Sequence, residues 1–97
     1  MSCTVLLEVT AQAGKSPELA GVFASILGDT RAFEGCKGVD VVANQDEAEN
    51  FVLIESWETR EHYEKYLAWR QERGDLDALG ALLAAPPSIR FFSDVDA

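Results

Sequence analysis

Apolar residues alternate with polar ones at a period of two from Cys3 to Ala11. Val5, Leu7 and Val9 share one face, and Thr4, Leu6, Glu8 and Thr10 share the other. This predicts a strand covered on both sides. Beyond the turn at Ala13–Lys15 the period changes. Leu19, Val22, Phe23, Ile26 and Leu27 recur at helical spacing, which gives an amphipathic helix one apolar stripe. Ser16 is placed to cap it, Pro17 fits the first position, Glu18 suits the positive end of the helix dipole, and the helix should fade before Gly35. CKGVDVVAN (Cys36–Asn44) and FVLIESWE (Phe51–Glu58) read as strands, joined into a hairpin by the acidic turn Gln45–Asn50. The second of these is apolar on both faces, with Phe51, Leu53 and Trp57 on one and Val52 and Ile54 on the other. Such a strand needs two covers.

Thr59 is the next N-cap, and the helix it starts runs to about Arg73, where Gly74 stops it. Asp75–Ala85 reads as a short third helix capped by Asp75, with Leu76, Leu79 and Leu83 inward, ended by Pro86 and Pro87. Ser88–Val95 closes the chain as a strand with Ile89 and Phe91 on one face and Arg90 and Phe92 on the other. The order β-α-β-β-α-α-β, taken as one domain over residues 1–97, predicts an α+β fold of ferredoxin-like type. Its four-stranded antiparallel sheet carries the helices on one face. The other face, still apolar, predicts a homodimer formed sheet to sheet.

Net charge changes the choice of partners. Seventeen acidic against eight basic residues leave the chain at −9, so nucleic acid and anionic membranes are poor partners. No apolar run has the length of a bilayer span, and the first residues lack the basic region of a signal peptide, so the cytoplasm is the expected location. Cys3 and Cys36 each sit at the start of a strand, as small buried hydrophobes rather than a disulfide framework.

Candidate chemistry concentrates in ESWETREHYEKYLAWRQER (Glu55–Arg73), which holds both Trp, both Tyr and the only His. On the predicted helix Tyr63, Tyr66, Leu67 and Arg70 share a face, while His62, Tyr66, Trp69 and Arg73 share the neighbouring one. Trp57, Glu55 and Leu53 lie on one strand face. A pocket between sheet and helices would be lined by Trp57, Tyr63, Tyr66 and Arg70 over a floor of Val5, Leu7 and Val9. Leu53, Glu55, His62 and Trp69 lie within reach of a substrate there. Such a lining suits a flat, apolar, partly phenolic ligand. Packing alone accounts for the same pattern: aromatics at helical spacing form cores, and Arg70 and Arg73 could pair with Glu61, Glu64 or Glu72. Glu55 is either a buried, hydrogen-bonded carboxylate or a base of raised pKa. His62 has no second His or nearby Cys, so no metal site is expected. Phosphate loops, nucleophile elbows and dinucleotide fingerprints are absent.

AQAGKSPEL after the first strand, TRAFEGCKG closing the first helix, FVLIESWETREHYEKYL across the third strand and second helix, and the last strand after the prolines resemble, in order and spacing, the antibiotic biosynthesis monooxygenase family. The resemblance spans nearly the whole chain. It implies a homodimer of ferredoxin-like subunits, each with a pocket between sheet and helices. Some members are cofactor-independent oxygenases that turn phenolic or polycyclic substrates into quinones; others degrade haem, and some are isomerases. By resemblance Trp57 falls on a pocket-lining Trp and Tyr63 near a Tyr placed beside the substrate. Tyr66 occupies the slot of a helix His in many relatives, with His62 one turn earlier. The haem-degrading branch adds an Asn in the first strand, where this chain has Leu7, which argues against that reaction. The resemblance therefore implies oxidation of a small aromatic substrate without cofactor, with Trp57 and Tyr63 positioning the ring and Arg70 or Tyr66 stabilising the phenolate. The alternative is a dimeric small-ligand-binding protein without catalysis.

Overall fold

The computed structural model describes residues 2–97. Its elements are β1 (Cys3–Thr10), α1 (Ser16–Ala32), β2 (Cys36–Ala43), β3 (Asn50–Trp57), α2 (Arg60–Glu72), α3 (Asp75–Gly80) and β4 (Ser88–Phe92). The strands form one antiparallel sheet in the order β2-β3-β1-β4, the ferredoxin-like arrangement that the alternation of elements predicts. β1 and β3 are central. Their register sets Val5 against Glu55 and Leu7 against Leu53, so the helix-facing residues of both strands lie in rows.

The alternation in β1 and β3 sends Val5, Val9, Phe51, Leu53, Glu55 and Trp57 under the helices, and all six are buried. They divide into two clusters. Leu19, Phe23 and Leu27 of α1 pack on Val9, Phe51 and Leu53, with Leu79 and Leu83 closing the side. Tyr63 and Tyr66 of α2 pack on Val5 and Trp57, with Phe33, Trp69 and Phe91 around them. The second cluster is held by edge contacts of rings. Trp57 and Tyr63 meet at 5.5 Å between centroids and 73° between planes, and Tyr63 meets Phe91 at 5.7 Å and 74°.

Helix ends show where side chains compete for the backbone. Thr59 caps α2, its hydroxyl accepting the His62 backbone N–H at 3.1 Å. The same hydroxyl lies 2.6 Å from His62 Nδ1, so that ring is held at the helix start. The imidazole packs over Gly35, which has φ 90°; a Cβ at that position would run into the ring. Three expectations are corrected. Lys15, not Ser16, occupies the cap position of α1, and no side chain caps it. Asp75 does not cap α3, because its carboxylate is taken by Arg70 and Arg73; Gly74, at φ 80°, supplies the turn. α3 ends at Gly80 rather than Ala85, since the following backbone bonds to the end of β1 instead. Gln12 N–H donates to Leu82 C=O at 2.9 Å, Ala84 N–H to Thr10 C=O at 2.8 Å, and Leu83 bridges Ala11.

The far face of the sheet carries no helix. Val42, Ile54 and Phe92 are 46, 42 and 42% exposed there, beside Leu6 and Val52. No helix among the described residues is long and apolar enough to cross a membrane.

Candidate active site

Two adjoining chambers open between the sheet and the helices, at the seam between the two core clusters. The inner one, about 40 Å³, is bounded by Leu7, Leu53 and Glu55 of the sheet, by Ile26 and Thr30 of α1, by Tyr63, Tyr66 and Arg70 of α2, and by Asp75 of α3. The outer one, about 230 Å³, shares Leu7, Tyr63, Leu67, Leu76 and Leu79 with it and adds Gly80, Leu83, Pro87 and Ile89. Larger hollows at the β2 edge and beside the start of α2 are open and more polar. The seam is the enclosed, apolar site of the kind that takes small organic ligands.

Glu55 is the acidic residue of this seam that sits on the sheet. Strand alternation turns it inward between Leu53 and Trp57, and it is 3% exposed. The Trp57 indole N–H donates to its Oε1 at 3.0 Å, and no other hydrogen bond reaches the carboxylate among the described residues. Burial penalises the anion more than the indole N–H stabilises it, and the pKa is raised to about 7. Tyr63, 1% exposed, has no hydrogen-bonding partner for its hydroxyl among the described residues, and it borders both chambers. Burial, with the nearby charges of Glu55 and Tyr66, pushes its pKa far above the usual phenol range, so it is a proton donor to hydrogen bonds and not a base.

Tyr66 and Arg70 are arranged differently. The Tyr66 hydroxyl lies 2.6 Å from Thr30 Oγ1 and accepts from Arg70 Nε at 2.9 Å. Arg70 Nη1 donates to Asp75 at 2.8 Å, and Nη2 donates to Ile26 C=O at 2.8 Å and to Thr30 Oγ1 at 3.1 Å. Every guanidinium nitrogen is therefore engaged within the protein. Burial opposes the Arg70 charge, but the bonds to Tyr66 and Asp75 outweigh it and hold the pKa above its ordinary value. Arg70 in turn holds the Asp75 carboxyl below the usual range. The group ties α1, α2 and α3 together at the rear of the inner chamber.

The residues singled out in the sequence thus separate. Leu7, Leu53, Glu55, Tyr63, Tyr66 and Arg70 converge on the chambers. Trp57 does not line them: it is fully buried behind Glu55, among Phe33, Tyr63 and Tyr66. His62 is spent on Thr59 and Gly35 at the α2 start. Trp69 stacks beside Phe33 and under Arg70 and Arg73, on the far side of α2. Of the proposed floor, Leu7 reaches the cavity, while Val5 and Val9 are covered. Arg70 and Arg73 pair with Asp75 and not with Glu61, Glu64 or Glu72; it is Arg60 that meets Glu64. Thr30 was not anticipated, although it continues the buried α1 stripe of Leu19, Phe23 and Leu27. No group of three or more His, Cys, Asp or Glu residues able to hold a metal gathers among the described residues.

Known proteins share this architecture. The profile of a family described as antibiotic biosynthesis monooxygenase matches residues 2–73. The crystal structure of an antibiotic biosynthesis monooxygenase superposes with a TM-score of 0.86 at 16% identity, covering 97% of this chain and 99% of that one. A conserved protein from Methanosarcina mazei Go1 gives 0.85 at 16% identity, covering 95% and 91%. SnoaB, a cofactor-independent oxygenase from Streptomyces nogalater, gives 0.84 at 20% identity, covering 99% and 95%. Likeness at these identities is likeness of fold. No protein of curated function matches.

Proposed function

Because the chain belongs to the antibiotic biosynthesis monooxygenase family, we propose that it is a cofactor-independent monooxygenase that oxidises a phenolic or polycyclic aromatic substrate to a quinone. The observation that carries this reading is the outer chamber, walled by Leu, Pro and Ile side chains and bordered by Tyr63, whose hydroxyl has no partner among the described residues. A fused ring system buries its faces against Leu7, Leu67, Leu76 and Leu79, and its oxygen accepts a hydrogen bond from Tyr63. An electron-rich ring, once ionised, can itself give an electron to dioxygen. The protein then has to bind the ring, favour its ionised form and keep bulk water away. For an anthrone-type substrate the ring methylene becomes a carbonyl; one atom of dioxygen stays in the product and the other leaves as water. The likeness to SnoaB supports this chemistry by analogy of fold. Tyr66 and Arg70 take a supporting part here, fixing the rear wall through bonds already made inside the protein. The chain acts as a homodimer through the helix-free sheet face, where Val42, Ile54 and Phe92 stand exposed.

The test is oxygen uptake by the pure protein on a panel of anthrones and hydroquinones, with quinone followed by absorbance. Turnover above the buffer blank is expected, together with at least a tenfold loss in Leu76→Trp, which fills the outer chamber. No uptake by the wild type on any member, or full activity with the chamber filled, overturns the reading. Ring binding without uptake assigns the chamber to a binding protein instead.

A further inference from the structure

The seam holds one group that packing does not explain. Glu55 sits in the middle of the most buried strand, on the face where its neighbours are Leu53 and Trp57, and a Leu there would have completed the core. A carboxylate in that position is a cost unless it is paired, and no cation pairs with it. Arg70, which shares the inner chamber with it, directs all its nitrogens to Tyr66, Asp75, Ile26 and Thr30, and Arg31, which shares the β2-edge hollow with it, donates to the Val39 carbonyl. The indole N–H of Trp57 satisfies one oxygen; the other has no partner among the described residues, and the residue borders both the inner chamber and the hollow at the β2 edge.

We infer that Glu55 is the catalytic base of this site, and that its substrate is a neutral apolar ring carrying an acidic C–H or O–H. Trp57 is its positioning residue, fixing one carboxylate oxygen so that the other faces the ring edge. This rests on the reading of the chambers as a substrate site. A 40 Å³ inner chamber admits the reacting edge of a ring whose body fills the 230 Å³ outer one. The demand for a neutral substrate follows from charge: among the described residues no free cation lines either chamber, so a carboxylated substrate would meet Glu55 uncompensated.

The step balances without further groups. The substrate C–H bond breaks, its electron pair stays on the ring, and the proton goes to the free oxygen of Glu55. The carbanion joins dioxygen, and Glu55 returns the proton to the resulting peroxide. Loss of the second C–H proton, again to Glu55, then expels hydroxide as the carbonyl forms, and Glu55 gives this second proton to the hydroxide, which leaves as water. A base that shuttles in this way works best when its pKa lies near the working pH, and burial has moved Glu55 to about 7. The ionisable groups that border the inner chamber with it are Tyr63, Tyr66 and Arg70 from α2 and Asp75 from α3, and those that border the β2-edge hollow with it are Arg31 of α1 and Lys37 and Asp40 of β2. On β2 its charge reaches the Cys36 thiol, itself raised chiefly by burial. Arg31 of α1 is held nearby on the Val39 carbonyl at 3.0 Å.

Proton abstraction can be read without oxygen. Anthrone is incubated with the protein in D₂O under argon, and deuterium incorporation at the methylene is followed by NMR across pH 5–9. The wild type should accelerate exchange, with a rate that rises through about pH 7. Glu55→Gln, whose amide oxygen can keep the indole bond, should lose about 100-fold or more and lose the pH dependence. Glu55→Asp should recover part of the rate. Trp57→Phe removes the N–H that favours the anion, so its acid limb should move to higher pH, a shift that mere loosening of the core would not give. No acceleration by the wild type, or equal exchange in Glu55→Gln of native fold, overturns the assignment. Exchange that depends on Glu55 without oxygen uptake in air supports the base while overturning the oxygenase.

Discussion

Glu55→Gln should make the protein more stable, and the gain should depend on pH. In the unfolded chain the carboxyl ionises near 4.5; in the folded chain it ionises at about 7. Below pH 4.5 both states hold the proton and the residue is neutral to folding. As pH rises through that window the unfolded chain ionises first, so the stability present in acid is lost until the folded pKa is passed. A shift of this size is worth about 3 kcal/mol, and little discount for solvent applies to a side chain 3% exposed. Gln cannot ionise, so the difference between variant and wild type should step up by about 3 kcal/mol between pH 4 and pH 8. With a urea m-value of roughly 1 kcal/mol per M, the variant's midpoint should gain on the wild type's by about 3 M across that range. Urea unfolding of both proteins at equal concentration, followed by circular dichroism at each pH, measures it; equal concentration removes any effect of association. Taking the difference cancels the titration of all other acids. A difference that stays flat with pH would refute the reasoning, because it would mean that Glu55 ionises alike in both states.

Two further outcomes follow from the same geometry. Arg70→Met deletes the bonds to Tyr66, Asp75, Ile26 and Thr30 and should cost about 3 kcal/mol, a fall in Tm on the order of 15 °C by scanning calorimetry. Since Arg70 lowers the Asp75 pKa, that part of the deficit is present above the ordinary Asp range and should shrink as acid protonates Asp75; a deficit that grows in acid would contradict the pairing. Ile54→Lys places a charge on the helix-free sheet face and should give a folded monomer in sedimentation velocity where the wild type sediments as a dimer. A wild-type monomer, or a dimer indifferent to the change, would remove that face from the assembly.

Much of this molecule can be read from periodicity. The strand alternation that put Leu53, Glu55 and Trp57 on one face describes the sheet as it folds, and the stripe of α1 needed only to be carried on to Thr30. Local patterns miss what the backbone does with its remaining polar groups. Arg70 has no acid three or four residues away on its own helix, and it reaches Asp75 because Gly74 turns the chain back at positive φ. The wall after Gly80 is straightened by bonds to Thr10 and Gln12, residues far away in sequence. Composition also ranks Trp57 as wall and Glu55 as accessory, and three-dimensional packing exchanges them. The indole, large and apolar, goes behind, and the carboxylate it holds comes forward.

Position along the chain divides the labour of the seam. Glu55, Trp57 and Tyr63 stand on a central strand and the helix after it, inside the stretch of 2–73 that the family shares. Leu76, Leu79, Leu83, Pro87 and Ile89, which give the outer chamber its shape, all come later. That later stretch meets the sheet through main-chain bonds at Thr10 and Gln12 and through the buried Leu79 and Leu83, which leaves Leu76 and Pro87 as wall residues outside both core clusters. Changes at Leu76 and Pro87 would therefore reshape the outer chamber while the strand and helix that carry Glu55, Trp57 and Tyr63 keep their packing.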